Sequence, residues 1–116
     1  MCLFCNVEQD RIIAEDDLVY VIRDDFPVTE FHTLIIPKRH EADYFKLTSQ
    51  EVDAINKMLQ KQKKLLEQQD STISGFNIGI NIGEDAGQSI FHVHVHLILR
   101  RKGDTENPKG GVVFEV

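Results

Sequence analysis

Residues 89–99 read Ser89-Ile90-Phe91-His92-Val93-His94-Val95-His96-Leu97-Ile98-Leu99, with a histidine at every second position from 92 to 96. Successive side chains of a β-strand point to opposite faces, and the rise is about 3.3 Å per residue. The pattern predicts a strand that carries three imidazoles on one face, about 6.6 Å apart, and directs Val93, Val95, Leu97 and Leu99 into the core. Three of the chain's five histidines then share one face, which indicates a functional site.

Two kinds of chemistry suit this array. A His-X-His pair on a strand can ligate zinc, and a third imidazole would complete an open catalytic site. Alternatively, one imidazole attacks an electrophile while its neighbours orient it and carry protons. Residues 81–89 favour the second interpretation, because their glycines let backbone amides approach and wrap an anion. A phosphate-binding loop beside a nucleophile indicates phosphoryl or nucleotidyl transfer.

The rest of the chain predicts an antiparallel α+β domain. Residues 18–23 and 33–36 are β-branched or aromatic and end before turn residues, and residues 75–81 alternate as a half-buried strand does. Thr48 and Glu51 have the spacing of a capping box, which begins one long helix. Strands in succession around a single helix favour this fold class over a parallel sheet. The apolar residues at helical spacing are Val52, Ile55, Met58, Leu59, Leu65 and Leu66.

Size and charge exclude several classes of protein. With 116 residues the chain is expected to be one domain, spanning residues 1–116. A formal charge of −6 argues against binding to a nucleic-acid duplex, which requires neutralised phosphates. No apolar run approaches the about 18 residues that span a membrane. The first residues do not form a secretory signal, so we expect a cytoplasmic protein with reduced cysteines.

Residues 92–98 match the His-φ-His-φ-His-φ-φ signature, where φ is apolar, and the chain resembles the histidine triad (HIT) superfamily. It is most similar to the Hint-type branch of nucleotide phosphoramidases and dinucleoside polyphosphate hydrolases. The resemblance runs from Cys2 to about Gly111 and includes residues 31–40 and 81–89 in the expected order. It implies a HIT-like fold, with a sheet of about five antiparallel strands, one long and one short helix, and pairing into a homodimer. Residues 110–116 are shorter than many relatives' tails and contain no tryptophan, which leaves the leaving-group preference open.

The resemblance also implies roles for the histidines. His94 is the nucleophile that attacks the α-phosphorus and forms a covalent nucleotidyl-imidazole intermediate. His96 and His32 contact the phosphate, where protonated imidazoles would stabilise negative charge. His92 supports the geometry of the site, and Ser89 hydrogen-bonds the phosphate or the leaving group.

Further positions are implied to bind a purine nucleotide. Asp24, eight residues before His32, stands where this branch places the acid that accepts both ribose hydroxyls. Three residues line the phosphate loop, namely Asn81, Gly87 and Gln88. Four apolar residues match the positions that enclose the purine, namely Leu3, Phe4, Val7 and Ile22.

Cys2 and Cys5 form a Cys-X-X-Cys motif that does not follow a strand or open a helix, which disfavours a thioredoxin-like role. Two thiolates at this spacing can hold zinc if two more ligands are supplied. In zinc-bearing relatives those ligands correspond to His40 and His92. A zinc ion there would be structural, and the resemblance implies no catalytic cofactor.

The leading functional hypothesis is therefore an enzyme that cleaves the α-phosphate bond of purine nucleoside phosphoramidates or dinucleoside polyphosphates through His94. The alternative is a nucleotide-binding regulatory or scaffolding protein whose activity is incidental. A third hypothesis, a zinc hydrolase with three histidine ligands, predicts activity that a chelator abolishes. Arg100, Arg101 and Lys102 follow the histidine segment and are interpreted as a solvated basic turn.

Overall fold

The computed structural model describes residues 2–109, which form a five-stranded antiparallel sheet and one α-helix. The strand order is β1-β2-β3-β5-β4. The strands are β1 (Ala14–Glu15), β2 (Val19–Arg23), β3 (Thr33–Pro37), β4 (Ile73–Gly79) and β5 (Val95–Arg101), and the helix is α1 (Ser49–Gln69). This confirms the predicted α+β class. In the described part of the chain the predicted short helix takes the form of single 3-10 turns, at Leu3–Cys5, Gln9–Arg11, Tyr44–Lys46 and Glu84–Ala86. None of the described helices has the length and apolar character needed to cross a bilayer.

The predicted capping box begins α1. The backbone N–H of Glu51 donates to Thr48 Oγ1 at 3.1 Å, and the backbone N–H of Thr48 donates to Glu51 Oε1 at 2.8 Å. Ile55, Met58 and Leu66 are buried against the sheet as expected. Leu65 was expected there too, and that prediction is wrong, because its side chain is 43% exposed. Adjacent helical residues are about 100° apart around the axis, so Leu66 takes the inward position and Leu65 turns outward.

The two faces of the sheet have different coverings. One face packs on α1 through a core that includes Val19, Val21, Ile35, Val95 and Met58. Leu97 and Leu99 extend this core to Leu66, as the alternation predicts. The opposite face is covered by the N-terminal turn, in a second cluster formed by Phe4, Tyr20, Ile22, Leu34 and Ile36. The N-terminal turn therefore lies on the same side of the sheet as the histidines.

The histidine segment is only partly a strand. β5 begins at Val95, so His92 and His94 precede it, and the prediction of one strand through all three histidines is wrong. The reason is that β3 pairs with β5 only from Val95 onward, whereas the backbone N–H of Val93 donates to the Glu41 carbonyl, at 2.7 Å. The segment remains buried, and His92 and His94 lie beside the N-terminal turn.

Candidate active site

The ring of His94 has the geometry of a nucleophile. Its Nδ1–H donates to the backbone carbonyl of His92 at 2.8 Å, which leaves the lone pair on Nε2. Nε2 is buried and has no hydrogen-bond partner among residues 2–109. Burial lowers the pKa of His94 below its ordinary value. His94 is therefore a neutral imidazole at neutral pH, and its Nε2 lone pair is not used by any of the residues that the structure describes.

A chain of hydrogen bonds fixes the tautomers of His32 and His96. The backbone N–H of Val28 donates to His32 Nδ1 at 3.0 Å, so the proton of a neutral His32 lies on Nε2. That Nε2–H donates to His96 Nδ1 at 2.9 Å, which places the His96 proton on Nε2. The rings of His94 and His96 are 5.2 Å apart. The two imidazoles thus present a lone pair on His94 and an N–H on His96.

The protonated imidazoles expected at His32 and His96 beside a bound phosphate stay a prediction, and in the free protein burial favours the neutral rings. Both are fully buried, and this desolvation lowers the pKa of His32 and lowers that of His96 to about 3. The positive charge of neighbouring histidines also lowers the pKa of His96. Each ring is therefore neutral at neutral pH and contributes a hydrogen-bond donor rather than a full charge.

Asp24 lies beside these histidines. Its side chain is 7% exposed, and Oδ1 accepts the backbone N–H of Phe26 at 2.9 Å. Oδ2 lies 3.6 Å from His32 Nε2 and is buried with no hydrogen-bond partner in the described part of the chain. A buried carboxylate oxygen without a partner is costly, which is consistent with a bound hydroxyl donor. The ribose contact itself stays a prediction.

The loop before the histidines combines positive backbone angles with one buried amide. Gly83 and Gly87 have φ of 89° and 91°, which side-chain-bearing residues rarely adopt. Asn81 lies at this turn, with Nδ2 3.7 Å from where a Cβ on Gly87 would stand. Gln88 was expected to line the phosphate loop, but its amide is buried and bonded to the backbone of Gly83, Ala42 and residue 90. Gln88 therefore fixes the shape of the loop from inside.

The apolar residues expected to enclose the purine separate into two groups. Phe4 is buried and contacts His94 edge-on, with ring centroids 5.0 Å apart. Ile22 and Val7 pack in the same cluster as Phe4. Leu3 is 62% exposed and lies in a different cavity, together with Ser89. Phe4 is therefore the member of the set that touches the His94 ring.

The four predicted metal ligands converge. All four ligand atoms of Cys2, Cys5, His40 and His92 lie within 4.8 Å of one another. His92 Nδ1 is 3.3 Å from Cys2 Sγ, 3.6 Å from Cys5 Sγ and 3.3 Å from His40 Nδ1. Zinc bonds of about 2.0–2.3 Å in a tetrahedron separate the ligand atoms by about 3.3–3.8 Å, so the spacing fits zinc. His92 Nε2–H donates to the Pro37 carbonyl at 2.7 Å, which leaves the Nδ1 lone pair for a metal.

The comparison with known proteins identifies the family. The chain matches the family model of the HIT domain over residues 6–103. The chain belongs to the HIT family. This confirms the superfamily resemblance carried by the histidine segment.

Several solved HIT structures resemble this chain. A Zn-bound histidine triad family protein from Mycobacterium smegmatis has a TM-score of 0.79 and 33% identity, over 89% of this chain and 77% of that one. A HIT family hydrolase from Clostridium thermocellum has a TM-score of 0.74 and 32% identity, over 88% and 92%. A histidine triad nucleotide-binding protein from Candida albicans has a TM-score of 0.81 and 28% identity, over 100% and 86%.

The HIT site disfavours a zinc ion held by all three histidines of the motif. His92 directs Nδ1 toward the cysteines, and His94 Nδ1 is bonded to a carbonyl. Within residues 2–109, the triad's ligand atoms form no metal-binding group. A group does form from Asp24, His32 and His96, but the His32 nitrogen in it carries the proton that it donates to His96.

Two contributors to the HIT site were missed by the sequence analysis. The backbone N–H of Val28 sets the tautomer of His32, and a backbone group gives no signal in a sequence. The hydroxyl of Tyr20 donates to the Phe4 carbonyl and so anchors the N-terminal turn. A tyrosine between the valines of β2 was the available signal for that contact.

Acid is expected to destabilise this HIT domain through His96. Its pKa is about 3 in the folded chain and about 6.5 when unfolded, so the unfolded chain binds the proton more tightly. The free energy of unfolding should therefore fall as pH drops below about 6.5, by about 1.4 kcal/mol per pH unit from this group. Urea unfolding of wild type and His96→Asn between about pH 7 and 4 measures the difference. Equal slopes in the two proteins would contradict a buried neutral His96.

Proposed function

We propose that this HIT protein is a nucleotide hydrolase that cleaves the α-phosphate bond of purine nucleoside phosphoramidates or dinucleoside polyphosphates. The observation that carries the proposal is the buried Nε2 of His94, whose tautomer leaves its lone pair for attack. The named activities of two similar structures, a HIT family hydrolase and a histidine triad nucleotide-binding protein, support the reaction class and the ligand.

Two displacements account for hydrolysis. First, the Nε2 lone pair of His94 bonds to the α-phosphorus while the bond to the leaving group breaks. The leaving group takes a proton from solvent water, and the attacking water of the second step returns a proton to solvent. The Nδ1–H···O=C bond to His92 stabilises the positive charge that the imidazole acquires. Water then attacks phosphorus, the phosphorus–nitrogen bond breaks, and nucleoside monophosphate and neutral His94 are released.

The surrounding residues hold the nucleotide during both steps. The Nε2–H of His96 and the amides of the glycine loop donate to phosphoryl oxygens, where negative charge increases in the transition state. Oδ2 of Asp24 accepts from ribose, and Phe4 and Ile22 contact the base. Ser89 donates to the phosphate or the leaving group.

Zinc has a structural place in this proposal. Cys2, Cys5, His40 and His92 would hold it, and the Zn-bound relative supports that assignment. When bound, the ion supplies a cross-link between the N-terminal turn and the two segments that carry the histidine ligands. No catalytic cofactor is part of the proposed reaction, since the nucleophile is a side chain of this chain.

The test of function measures nucleoside monophosphate release from an adenosine 5′-phosphoramidate. We expect turnover by wild type and none above background by His94→Ala. Nucleotide binding without turnover in wild type would favour the regulatory or scaffolding alternative. Activity that a chelator abolishes without unfolding the protein, and that zinc restores, would favour a metal hydrolase.

We also propose a homodimer whose sheets join through β4 into a ten-stranded surface. β4 is an edge strand, and its outer backbone groups are available for pairing with a second copy. An apolar groove between α1 and β4 includes Ile55, Leu59, Ile78 and Ile80, of which Ile78 is 56% exposed.

We expect Ile78→Lys to convert the dimer to a monomer, because a charge at the centre of an apolar contact must be desolvated. Light scattering at micromolar concentration gives the mass. Leu18→Lys, an exposed leucine outside this groove, is the matched control and should stay dimeric. A monomer mass for wild type would refute the proposal.

A further inference from the structure

Phe31 has a backbone conformation that residues with side chains rarely adopt. Its φ is 67°, and among residues 2–109 it is the one non-glycine residue for which φ is positive. This left-handed conformation crowds Cβ against the backbone, so it persists where neighbouring contacts hold it, and such positions cluster at active sites. Phe31 directly precedes His32, whose Nε2–H donates to His96 Nδ1. A strained residue therefore sets the path of the chain into His32.

Arg23 and Thr33 lie on the face of the sheet that packs on α1. Each is two residues from a member of the core against α1, which is Val21 on β2 and Ile35 on β3. Side chains two residues apart on a strand share a face. His32, one residue before Thr33, points to the opposite face, where the N-terminal turn lies. Groups on the α1 side therefore reach the backbone around His32 from behind the site.

Arg23 connects that backbone to the helix. Its Nη1 donates to Thr33 Oγ1 at 2.7 Å and to Gln62 Oε1 of α1 at 3.0 Å. Thr33 Oγ1 donates in turn to the Phe31 carbonyl at 2.7 Å. The guanidinium carbon also lies 5.8 Å from the centroid of the Phe31 ring, which is within the range of a cation–π contact. Both residues that flank His32 are therefore held by Arg23.

The charge of Arg23 is not compensated by a carboxylate. The side chain is partly buried, which lowers its pKa, and within residues 2–109 it forms no ion pair. A cation removed from water without a counter-ion is costly. Arg39, by contrast, pairs with Glu51 of α1 at 2.9 Å. The unpaired guanidinium therefore indicates that Arg23 serves the geometry of the neighbouring site.

We propose that Arg23 is a positioning residue, which holds Phe31 in the left-handed conformation and thereby directs the Nε2–H of His32 onto His96. The proposal rests on the proposed function, in which the Nε2–H of His96 donates to a phosphoryl oxygen. The bond from His32 fixes that tautomer, because His96 Nδ1 accepts and its proton then lies on Nε2. Arg23 lies on the other face of the sheet from these rings and acts through the backbone around His32.

Nuclear magnetic resonance of protein labelled with ¹⁵N-histidine reads the tautomers directly. In wild type, His32 and His96 should be protonated on Nε2 and His94 on Nδ1. Arg23→Met removes the donors and keeps an unbranched side chain. We expect this variant to show a mixture of both tautomers at His32 and His96, and the wild-type tautomer at His94. Wild-type tautomers at all three rings would overturn the proposal.

Turnover of an adenosine 5′-phosphoramidate is the second measurement. Arg23→Met should lower kcat by at least about 30-fold and change KM by less than about threefold, because a misplaced donor stabilises the transition state less. Arg39→Met is the matched control. Arg39 also donates to a buried side chain of α1, Glu51, and its other hydrogen bonds are to Glu41 and Lys46. This control should keep wild-type kcat and tautomers, whatever stability it loses.

Glycine at position 31 separates positioning from ordinary destabilisation. Glycine adopts positive φ without a side-chain clash, so it does not need the support of Arg23. In the Phe31→Gly background, Arg23→Met should lower kcat by less than about threefold, against at least about 30-fold when Phe31 is present. Equal losses in the two backgrounds would show that Arg23 does not act by holding Phe31, and would overturn the proposal.

Thr33→Val tests the same contacts if Arg23→Met does not fold. It removes the hydroxyl that joins Arg23 to the Phe31 carbonyl and keeps the volume of the side chain. We expect the same changes of tautomer and kcat, whereas Thr33→Ser, which retains the hydroxyl, should match wild type. Wild-type tautomers and kcat in Thr33→Val would overturn the proposal.

The two measurements also separate this proposal from the proposed function. Absence of turnover in wild type would overturn the hydrolase, and the tautomers alone would then decide whether Arg23 positions His32. Mixed tautomers in Arg23→Met together with wild-type kcat would overturn its part in the reaction and leave the hydrolase intact.

Discussion

Replacement of His94 by alanine is expected to lower kcat by three or more orders of magnitude. Without the nucleophile the covalent route is lost, and only substrate binding and electrostatic stabilisation still accelerate the reaction. Within residues 2–109, neither of the other two histidines of the motif is poised to take its place. His96 has its proton on Nε2, and His92 directs its lone pair toward the cysteines.

Nucleotide binding should survive the same change. In the proposed function, Asp24, the glycine loop and the Phe4 cluster would hold the nucleotide without the His94 ring. Affinity for adenosine monophosphate in His94→Ala should therefore change by about tenfold at most, or roughly 1.4 kcal/mol. A larger loss would mean that His94 binds the ground state rather than acting in the transition state.

His94→Asn is the matched control for structure. Its side-chain amide can donate to the His92 carbonyl as Nδ1–H does, but it has no nucleophilic lone pair. We expect His94→Asn to unfold at the wild-type denaturant concentration and to be as inactive as His94→Ala. In His94→Gly, added imidazole is expected to restore part of the activity by entering the vacated space.

The adduct itself gives the direct measurement. Rapid trapping with labelled substrate, without acid, followed by mass spectrometry should find a nucleotidyl group on the peptide that contains residues 91–99. Fragmentation assigns the modified histidine. An adduct on His92 or His96, or near wild-type turnover by His94→Ala, would show that the assignment of the nucleophile is wrong.

Elements specified by local pattern were predictable from the sequence. The capping box of Thr48 and Glu51 begins α1 as expected, because its hydrogen bonds join residues three apart. The apolar residues at every second position of 93–99 correctly predicted that Val95, Leu97 and Leu99 lie in the core. The prediction holds because successive side chains of a strand point to opposite faces. The convergence of Cys2, Cys5, His40 and His92 followed from family resemblance, and the ligand distances support it.

Features that depend on tertiary contacts were not predictable in this way. The protonation of His32 and His96 depends on their complete burial and on the Val28 amide, neither of which the motif encodes. Gln88 belongs to the expected loop, but only the fold shows that its amide bonds inward. Residues 110–116 lie outside the described part of the chain, so the interpretation of that tail stays a sequence prediction.

Zinc is expected at one ion per chain in protein purified without added metal. A folded site binds zinc and the unfolded chain binds it more weakly, so the ion stabilises the fold by mass action. At free zinc about 1,000 times the dissociation constant, the gain is about 4 kcal/mol. Removal of zinc by a chelator, or the Cys2→Ser substitution, should lower the free energy of unfolding by about 4 kcal/mol. Metal analysis and urea unfolding, each with and without chelator, make the measurement.

Glu8→Ser is the matched control for that experiment, since it introduces serine at an exposed position of the same N-terminal segment that is not one of the ligands. It should keep the metal content and stability of wild type. Cobalt replacing zinc should show the visible absorption of tetrahedral coordination in Glu8→Ser and lose it in Cys2→Ser. Protein with no metal, together with normal stability in Cys2→Ser, would remove the site from this chain.

The same preparations distinguish a structural zinc from a catalytic one. His92 would bind zinc through its ring nitrogen, whereas it holds His94 through its backbone carbonyl. Loss of the metal should therefore affect His94 only if it also disturbs the fold around His92. Chelated protein that remains folded should therefore retain most of its turnover. When the chelated protein is heated, its turnover should fall in proportion to the fraction of unfolded protein. If turnover instead vanished on chelation while the protein stayed folded, zinc would have to act on the substrate, and attack by His94 alone could not be the mechanism.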